Sequence, residues 1–458
     1  MEKEGYSSFV IRVLEKYGID IYDRIEVLWR GLKLEGILLP RPLYGDPNVL
    51  ILKLDNGYNI GVDIGQIQSL RLVEKRPETK RPPTKIKFAK EYPKVSLLGT
   101  GGTIASRVDY RTGAVYPSFK IEDLYDFLPE IFDLALLDAE EMLKIFSEDM
   151  TPRLWSRIAE RIASKYHSGY RGIVIAHGTD TMSYTAAALS FALRNIPGPV
   201  VLVGAQRSSD RPSSDTALNL LGAVATAAYA PFGEVVVAMH GETGDSFVLL
   251  HRGTKVRKMH TSRRDAFRSI NDFPLAVFMN RKIYILSDDY FPCRSIEDLK
   301  VRNQFDEKVA LIKFYPGMDP QIIDFLIDKG YHGIVIEATG LGHVREELLP
   351  SIRRGVEEGI AIVISSQCLW GRVNLNVYRR GVELLKAGVI PAEDMLPETA
   401  FVKLCWTLAQ TRDLKEVRKI MLTNIAHEIN YRHVPEHYPP VFDLKMLNKY
   451  TRKVVSID

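Results

Sequence analysis

The sequence predicts an α/β protein: a pair of α/β domains preceded by a small β-barrel domain. Three observations carry that reading. Between Asp20 and Val73, five short apolar stretches follow one another at strand length. From Lys94 to about Lys300, continuous apolar runs alternate with stretches of helical period, the pattern of a parallel sheet covered on both faces. The same alternation resumes at Val309 and runs past Ser365, which makes a second α/β unit.

The spacing of Phe9, Val10, Val13 and Leu14 predicts a short helix within residues 1–17. Strands are expected at 25–29, 34–39, 49–54, 58–62 and 69–73, with Asp55-Asn56-Gly57 as a hairpin turn. Residues 74–88 carry three prolines among many charges and read as a semi-extended linker, basic enough to touch RNA or simply solvated. In the first α/β domain the expected strands are 95–98, 172–176, 200–204, 235–239 and 283–287. Helices are expected at 155–164, 181–194 and 217–228. In the second, strands at 309–314, 333–337 and 361–365 alternate with helices at 319–329 and 344–358, and helices at 397–409 and 413–423 close it. The domain limits that follow are 1–75, a linker at 76–92, 93–300, 301–430, and a polar and aromatic tail at 431–458. No stretch of 20 to 50 residues repeats, which excludes a solenoid.

A chain of 458 residues with 46% hydrophobic side chains sustains about three packed domains. Its formal net charge of +4 does not by itself announce a nucleic-acid protein. The three cysteines, Cys293, Cys368 and Cys405, lie far apart without a CxxC, so a disulfide framework or zinc site is not expected and all three read as small buried hydrophobes. The charged N-terminus lacks an apolar signal core and no run of 18 apolar residues occurs, which is the pattern of a cytoplasmic protein with no membrane span.

Chemistry concentrates first in Val95-Ser-Leu-Leu-Gly-Thr-Gly-Gly-Thr-Ile-Ala105. A buried strand runs into a glycine turn that holds Thr100 and Thr103 beyond the strand's carboxyl end, where ligands bind in α/β folds. The segment lacks the third glycine of GxGxxG, and the chain has no Walker A loop. A second strand ends in the same way, at Ile175-Ala-His-Gly-Thr-Asp-Thr181, with a helix following. Thr179 and Asp180 there are either N-cap residues or members of a site that uses the helix N-terminus to stabilise a developing anion. A threonine hydroxyl is a weak nucleophile until a base takes its proton, and a lysine whose pKa burial lowers can be that base.

These motifs resemble the L-asparaginase/glutaminase superfamily. The resemblance rests on Thr100-Gly-Gly-Thr-Ile-Ala105, His177-Gly-Thr-Asp-Thr181 and Val200-Val-Leu-Val-Gly-Ala205. It extends to Ser147-Glu-Asp-Met150, similar to a Ser-Gln-Asp-Met segment, and to Val256-Arg-Lys-Met-His-Thr261, similar to the segment with the catalytic lysine. It spans about 94–425 and implies an asparaginase-like pair of α/β domains. It further implies that Thr103 is the nucleophile and that Tyr116, in a mobile loop, assists proton transfer. Thr179, Asp180 and Lys258 would form a second hydroxyl–carboxylate–lysine group. Ser147 would hold the substrate α-carboxylate and Asp180 the α-amine. Glu148 stands where many relatives have Gln, and its extra charge bears on substrate choice. Lys258 lies in a basic run from Arg252 to Arg264, whose arginines are candidates for RNA or partner contact. His177 reads as structural.

The β-rich domain, the linker and the variant Gly253-Thr-Lys-Val-Arg-Lys-Met-His-Thr-Ser-Arg-Arg-Asp-Ala-Phe267 resemble the D subunits of archaeal glutamyl-tRNA(Gln) amidotransferases. That resemblance implies a glutaminase that delivers ammonia to an E subunit for amidation of tRNA(Gln)-bound glutamate. ATP and Mg are then expected in the partner, no cofactor or metal in this chain, and a homodimer as the core of the assembly. A free-standing asparaginase/glutaminase with an accessory domain and a catalytically dead tRNA-binding scaffold are the alternatives.

Overall fold

The computed structural model describes residues 5–41, 45–54, 59–75, 92–101, 106–109, 114–117, 128–207, 214–438 and 447–456. The chain divides into two compact units. One comprises Met1–Glu91, Thr103–Ser118 and Arg207–Thr216; the other is the rest. The linker segment and the Asp55-Asn56-Gly57 turn lie largely outside the described residues.

In the first unit, the helix Ser8–Lys16 begins at Ser7, whose hydroxyl oxygen accepts a bond from the Val10 amide. Val10 and Leu14, one turn apart, face the core; Phe9, expected on the same face, is exposed instead. Five strands follow: β1 (Arg24–Trp29), β2 (Leu32–Leu39), β3 (Val49–Leu54), β4 (Asn59–Asp63) and β5 (Ile67–Glu74). They form an antiparallel sheet of order β4-β3-β2-β1-β5. Its alternating inward residues, among them Ile25, Val27, Leu38, Leu50, Leu52 and Val62, pack with Val10 and Leu14. Arg30 and Gly31 join β1 to β2, both at positive φ (48° and 77°), as a two-residue hairpin turn requires.

Strand β6 (Lys94–Gly101) belongs to the second unit. In the first, β7 (Ser106–Asp109) and β8 (Ala114–Pro117) pair antiparallel, with Tyr116 opposite Arg107, so the stretch expected as a mobile loop carries a strand ladder.

The second unit continues with β9 (Leu136–Ile145), β10 (Gly172–Ala176), β11 (Leu193–Arg194), β12 (Val200–Val203), β13 (Val235–His240) and β14 (Val248–Arg252). Then come β15 (Val256–Lys258), β16 (Phe267–Ser269), β17 (Ala276–Met279), β18 (Lys282–Ile285) and β19 (Lys300–Val301). The last are β20 (Val309–Lys313), β21 (Gly333–Ala338), β22 (Ala361–Ser366), β23 (Ile390–Pro391) and β24 (Lys453–Ser456). A nine-stranded sheet runs β24-β18-β17-β14-β13-β12-β10-β6-β9. Its β13-to-β9 half is parallel and its other half antiparallel.

The stretch around Ile283, expected as one more parallel strand, is therefore corrected to an antiparallel one. The reason is local. Only Asn280 and Arg281, both at positive φ (50° and 56°), separate β17 from β18, and parallel strands need a crossover of a dozen residues or more. The C-terminal tail also supplies the edge strand β24.

The helices Pro152–His167 and Met182–Ala192 bury Ile158, Ile162, Met182 and Leu189 against Ile173, Ile175, Leu202 and Val237 of the sheet. The helix expected at 181–194 stops at Ala192, because Leu193 and Arg194 leave it to pair with β19. The helix Thr216–Tyr229 lies within one residue of its expected start and end.

The C-terminal half is a parallel sheet of order β20-β21-β22-β23, flanked by Gln321–Asp328, Leu349–Glu357, Arg379–Lys386, Pro397–Leu408 and Leu414–Leu422. The helix expected from Val344 starts only at Leu349, after a 3-10 turn and with Pro350 in its first turn. Of the cysteines only Cys405 is buried; Cys293 is partly exposed and Cys368 exposed, so the expectation for those two does not hold. No helix among the described residues is long and apolar enough to cross a membrane.

Candidate active site

The site begins where β6 and β10, adjacent parallel strands, end side by side with Gly99 opposite Ala176. Strand β6 does not stop at Leu98, as the glycines suggest, but continues through Gly101 with a register shift against β9. Gly101 has φ +111°, and a Cβ there would overlap the Ile145 carbonyl, so only glycine fits. Thr100 consequently lies in the strand and not in the turn. It is buried, and its hydroxyl donates to the Ala176 carbonyl at 3.0 Å, tying β6 to β10. Thr103 lies outside the described residues; Tyr116 is described only as a backbone position in β8.

The turn after β10 carries His177, Gly178, Thr179 and Asp180, and the helix Met182–Ala192 follows with Thr181 as its N-cap. Neither Thr179 nor Asp180 caps that helix, so the capping alternative for both is set aside. Instead the Lys258 Nζ donates to Thr179 Oγ1 and to Asp180 Oδ1, each at 2.8 Å. Thr179 is buried, the Lys258 side chain is 13% exposed and that of Asp180 68% exposed. An ammonium thus joins a sheltered hydroxyl to a carboxylate open to a ligand. That arrangement can move a proton to or from a hydroxyl and hold a cationic ligand group at the carboxylate.

Ser147 is buried beside this turn. Its carbonyl accepts a bond from the Thr181 hydroxyl at 2.6 Å, and a Cβ on Gly178 would come within 2.7 Å of the Ser147 Cβ. Glu148, next along, is exposed. At the end of β12, a Cβ on Gly204 would lie 2.8 Å from Thr179 Cγ2, so glycine there gives Thr179 its room. These contacts were not evident from sequence, where Gly178 reads only as a turn residue and Gly204 as the end of a strand.

His177 belongs to the core below. With Nδ1 donating to the Gly178 carbonyl at 2.6 Å, Nε2 accepts from the Thr185 hydroxyl at 2.9 Å, and the Trp155 indole donates to the same hydroxyl oxygen. Burial holds the ring neutral, its pKa pushed down to about 4.

The basic run around Lys258 is not a free cationic face. Arg252 is buried between Glu234 and Asp272, and Lys255 is buried on Asp394. Arg257 pairs with Glu398, Arg263 with Asp265, and Arg264 with Asp245. Burial raises the Asp265 carboxyl, but bonds from Arg263 and Arg268 outweigh it and hold the pKa at about 2. Among the described residues no group of His, Cys, Asp and Glu is arranged to hold a metal.

Three family models match the chain: Asparaginase, N-terminal over residues 94–290, Glutaminase/Asparaginase C-terminal domain over 308–421, and GatD N-terminal domain over 19–73. The sequence is similar to the glutamyl-tRNA(Gln) amidotransferase D subunit of Thermofilum pendens, 52% identical over 95% of this chain and 99% of that protein. The D subunit of Pyrococcus abyssi is 57% identical over 86% and 90%, and that of Sulfurisphaera tokodaii 49% identical over 96% and 98%. Among solved structures, the thermostable L-asparaginase from Thermococcus kodakarensis matches with a TM-score of 0.65 at 33% identity, covering 74% of this chain and 100% of that one. L-asparaginase I from Vibrio cholerae matches with the same TM-score at 32% identity, covering 74% and 99%.

Proposed function

Because this chain belongs to the family of glutamyl-tRNA(Gln) amidotransferase D subunits, we propose that it is the glutaminase component of that tRNA-dependent amidotransferase. Glutamine is its substrate, and its ammonia goes to an E subunit that amidates glutamate on tRNA(Gln) in the cytoplasm. ATP and Mg are used in that partner, and two copies of this chain form the core of the complex.

The chemistry runs on this chain's own side chains. Thr103 attacks the glutamine carboxamide carbon as its hydroxyl proton passes to the Tyr116 side. Backbone N–H groups at the strand-end turns stabilise the oxyanion. The C–N bond breaks and the nitrogen leaves as ammonia after taking up a proton. Water then attacks the threonyl ester, glutamate leaves, and the Thr103 hydroxyl is restored. Lys258 serves as the proton-transfer group with Thr179, while Asp180 orients the lysine and receives the substrate α-amine. Ser147 takes the α-carboxylate, and Glu148 adds a negative charge at that rim. The observation that supports this most is the Lys258 ammonium held at 2.8 Å from both Thr179 and Asp180.

The test is ammonia release from glutamine and from asparagine, measured on the chain alone and then with the E subunit, ATP and glutamyl-tRNA(Gln). The expected result is slow glutamine hydrolysis alone, rising by up to about a hundredfold in the complex if closed sites go from about 1% to full occupancy. Full activity alone and faster turnover of asparagine would identify a free-standing asparaginase. No hydrolysis in either setting would leave only a scaffold.

A further inference from the structure

Lys258 sits on β15, a strand of three residues whose only ladder among the described residues is with β16. A two-stranded hairpin this short does not hold its own position in water. Its placement must come from side-chain anchors: Val256 and Phe267 are buried in the core of the N-terminal half, while the polar anchors around Lys258 go elsewhere. The Thr254 hydroxyl donates to the Ala426 carbonyl, and the Thr399 hydroxyl donates to the Thr254 carbonyl, both at 2.9 Å. Lys255 Nζ donates to Asp394 at 2.7 Å, and Arg257 Nη1 donates to Glu398 Oε2 at 3.1 Å. Every one of these partners lies in the C-terminal half, whereas Thr179 and Asp180, which receive Lys258, lie in the N-terminal half.

Arg257 is the nearest of these anchors to Lys258. Successive strand side chains point to opposite faces, so fixing Arg257 on one face sends Lys258 to the other. Glu398, in the first turn of the helix Pro397–Leu408, is buried, and so is Val256 on the other side of Arg257. Opposite Arg257 stands Arg268, whose charge is taken by Asp265 at 2.7 Å, leaving Glu398 as the carboxylate bonded to Arg257.

We propose that Arg257 and Glu398 are positioning residues for Lys258. Their ion pair ties the Lys258 strand to the C-terminal half, on the side opposite its buried apolar anchors, and so helps determine where the lysine ammonium meets Thr179. This deepens the functional reading above and rests on Lys258 being catalytic. It also implies that any displacement of the helix Pro397–Leu408 is felt at Lys258.

The experiment is steady-state glutamine hydrolysis by the complete complex carrying Arg257→Gln, Arg257→Lys, Glu398→Gln or Lys258→Met. A misplacement of about 1 Å costs on the order of a hundredfold in rate, so Arg257→Gln should lower kcat about tenfold to a hundredfold with KM for glutamine nearly unchanged. Arg257→Lys keeps a cation able to make the one bond to Glu398 and should recover most of the kcat. Glu398→Gln keeps shape and acceptor but loses charge; it should lower kcat less than Arg257→Gln does, and it carries the test if Arg257→Gln does not fold. Parental kcat in folded Arg257→Gln, or a raised KM with kcat unchanged, overturns the proposal. Parental kcat in Lys258→Met would instead remove the catalytic reading on which it rests. An inactive Lys258→Met beside a fully active Arg257→Gln would remove the positioning proposal alone.

Discussion

Lys255 and Lys258 stand on the same segment, and each donates to an aspartate, at 2.7 and 2.8 Å. Their surroundings are opposite. Lys255 and Asp394 are 1% and 0% exposed, a closed pair between the two halves. Lys258 and Asp180 are 13% and 68% exposed, and the lysine also holds the Thr179 hydroxyl. A closed pair has no room for a reactant and acts as a bolt. An open pair leaves its carboxylate free for one. Lysine–carboxylate contact alone therefore says nothing of function; what decides it is whether a third reactive group and solvent reach the pair.

Breaking the open pair should cost activity and little stability. Lys258→Met leaves behind an exposed Asp180, so no charge is stranded in the core. Ammonia release from glutamine should fall by at least about a thousandfold, as when a member of a catalytic set is removed, with the melting temperature nearly unchanged. Breaking the closed pair should do the reverse. Lys255→Met strands the buried Asp394 carboxylate, a loss of about 3–5 kcal/mol that urea unfolding would register.

Acid should act on the core directly under the open pair. Buried His177 has its pKa lowered from 6.5 to about 4, so the unfolded chain binds a proton there between those values and the folded chain does not. Its contribution is constant above about pH 6.5 and turns progressively against folding as pH falls to 4, by up to about 3 kcal/mol. His177→Gln should flatten that part of the stability–pH curve, read from urea midpoints at pH 7 and 4.5; an unchanged slope would contradict the assignment. The smallest effect expected is that of Thr100→Val, which removes one buried hydroxyl bond to Ala176 and should cost about 1 kcal/mol with little change in turnover.

The strands leading to the site were readable because β6, β10, β12 and β13 are buried on both faces and so are largely apolar. Thr179 and Asp180 were marked by the strand-to-helix turn they occupy, with capping and a site as open alternatives, whereas Lys258 was readable only through motif resemblance. Nothing local marks Lys258 in a run of six cations from Arg252 to Arg264, because its partners Asp180 and Thr179 lie 78 and 79 residues away. Glu398 went unseen for the same reason: a glutamate after a helix-starting proline looks like ordinary first-turn chemistry. The antiparallel setting of β18 was missed because the reversal from β17 at Asn280 and Arg281 uses positive φ without the glycine that usually announces it.

Lys258 moves a proton in the proposed reaction and does not merely supply charge. The most direct test is glutamine turnover by Lys258→Arg in the assembled complex, with circular dichroism to establish folding. Arginine keeps the positive charge and reaches Asp180, but a guanidinium stays protonated and cannot accept a proton. The variant should fold and turn glutamine over as slowly as Lys258→Met. A Lys258→Arg enzyme with turnover near the parental value would contradict the proton-transfer role and reduce Lys258 to an electrostatic partner of Asp180.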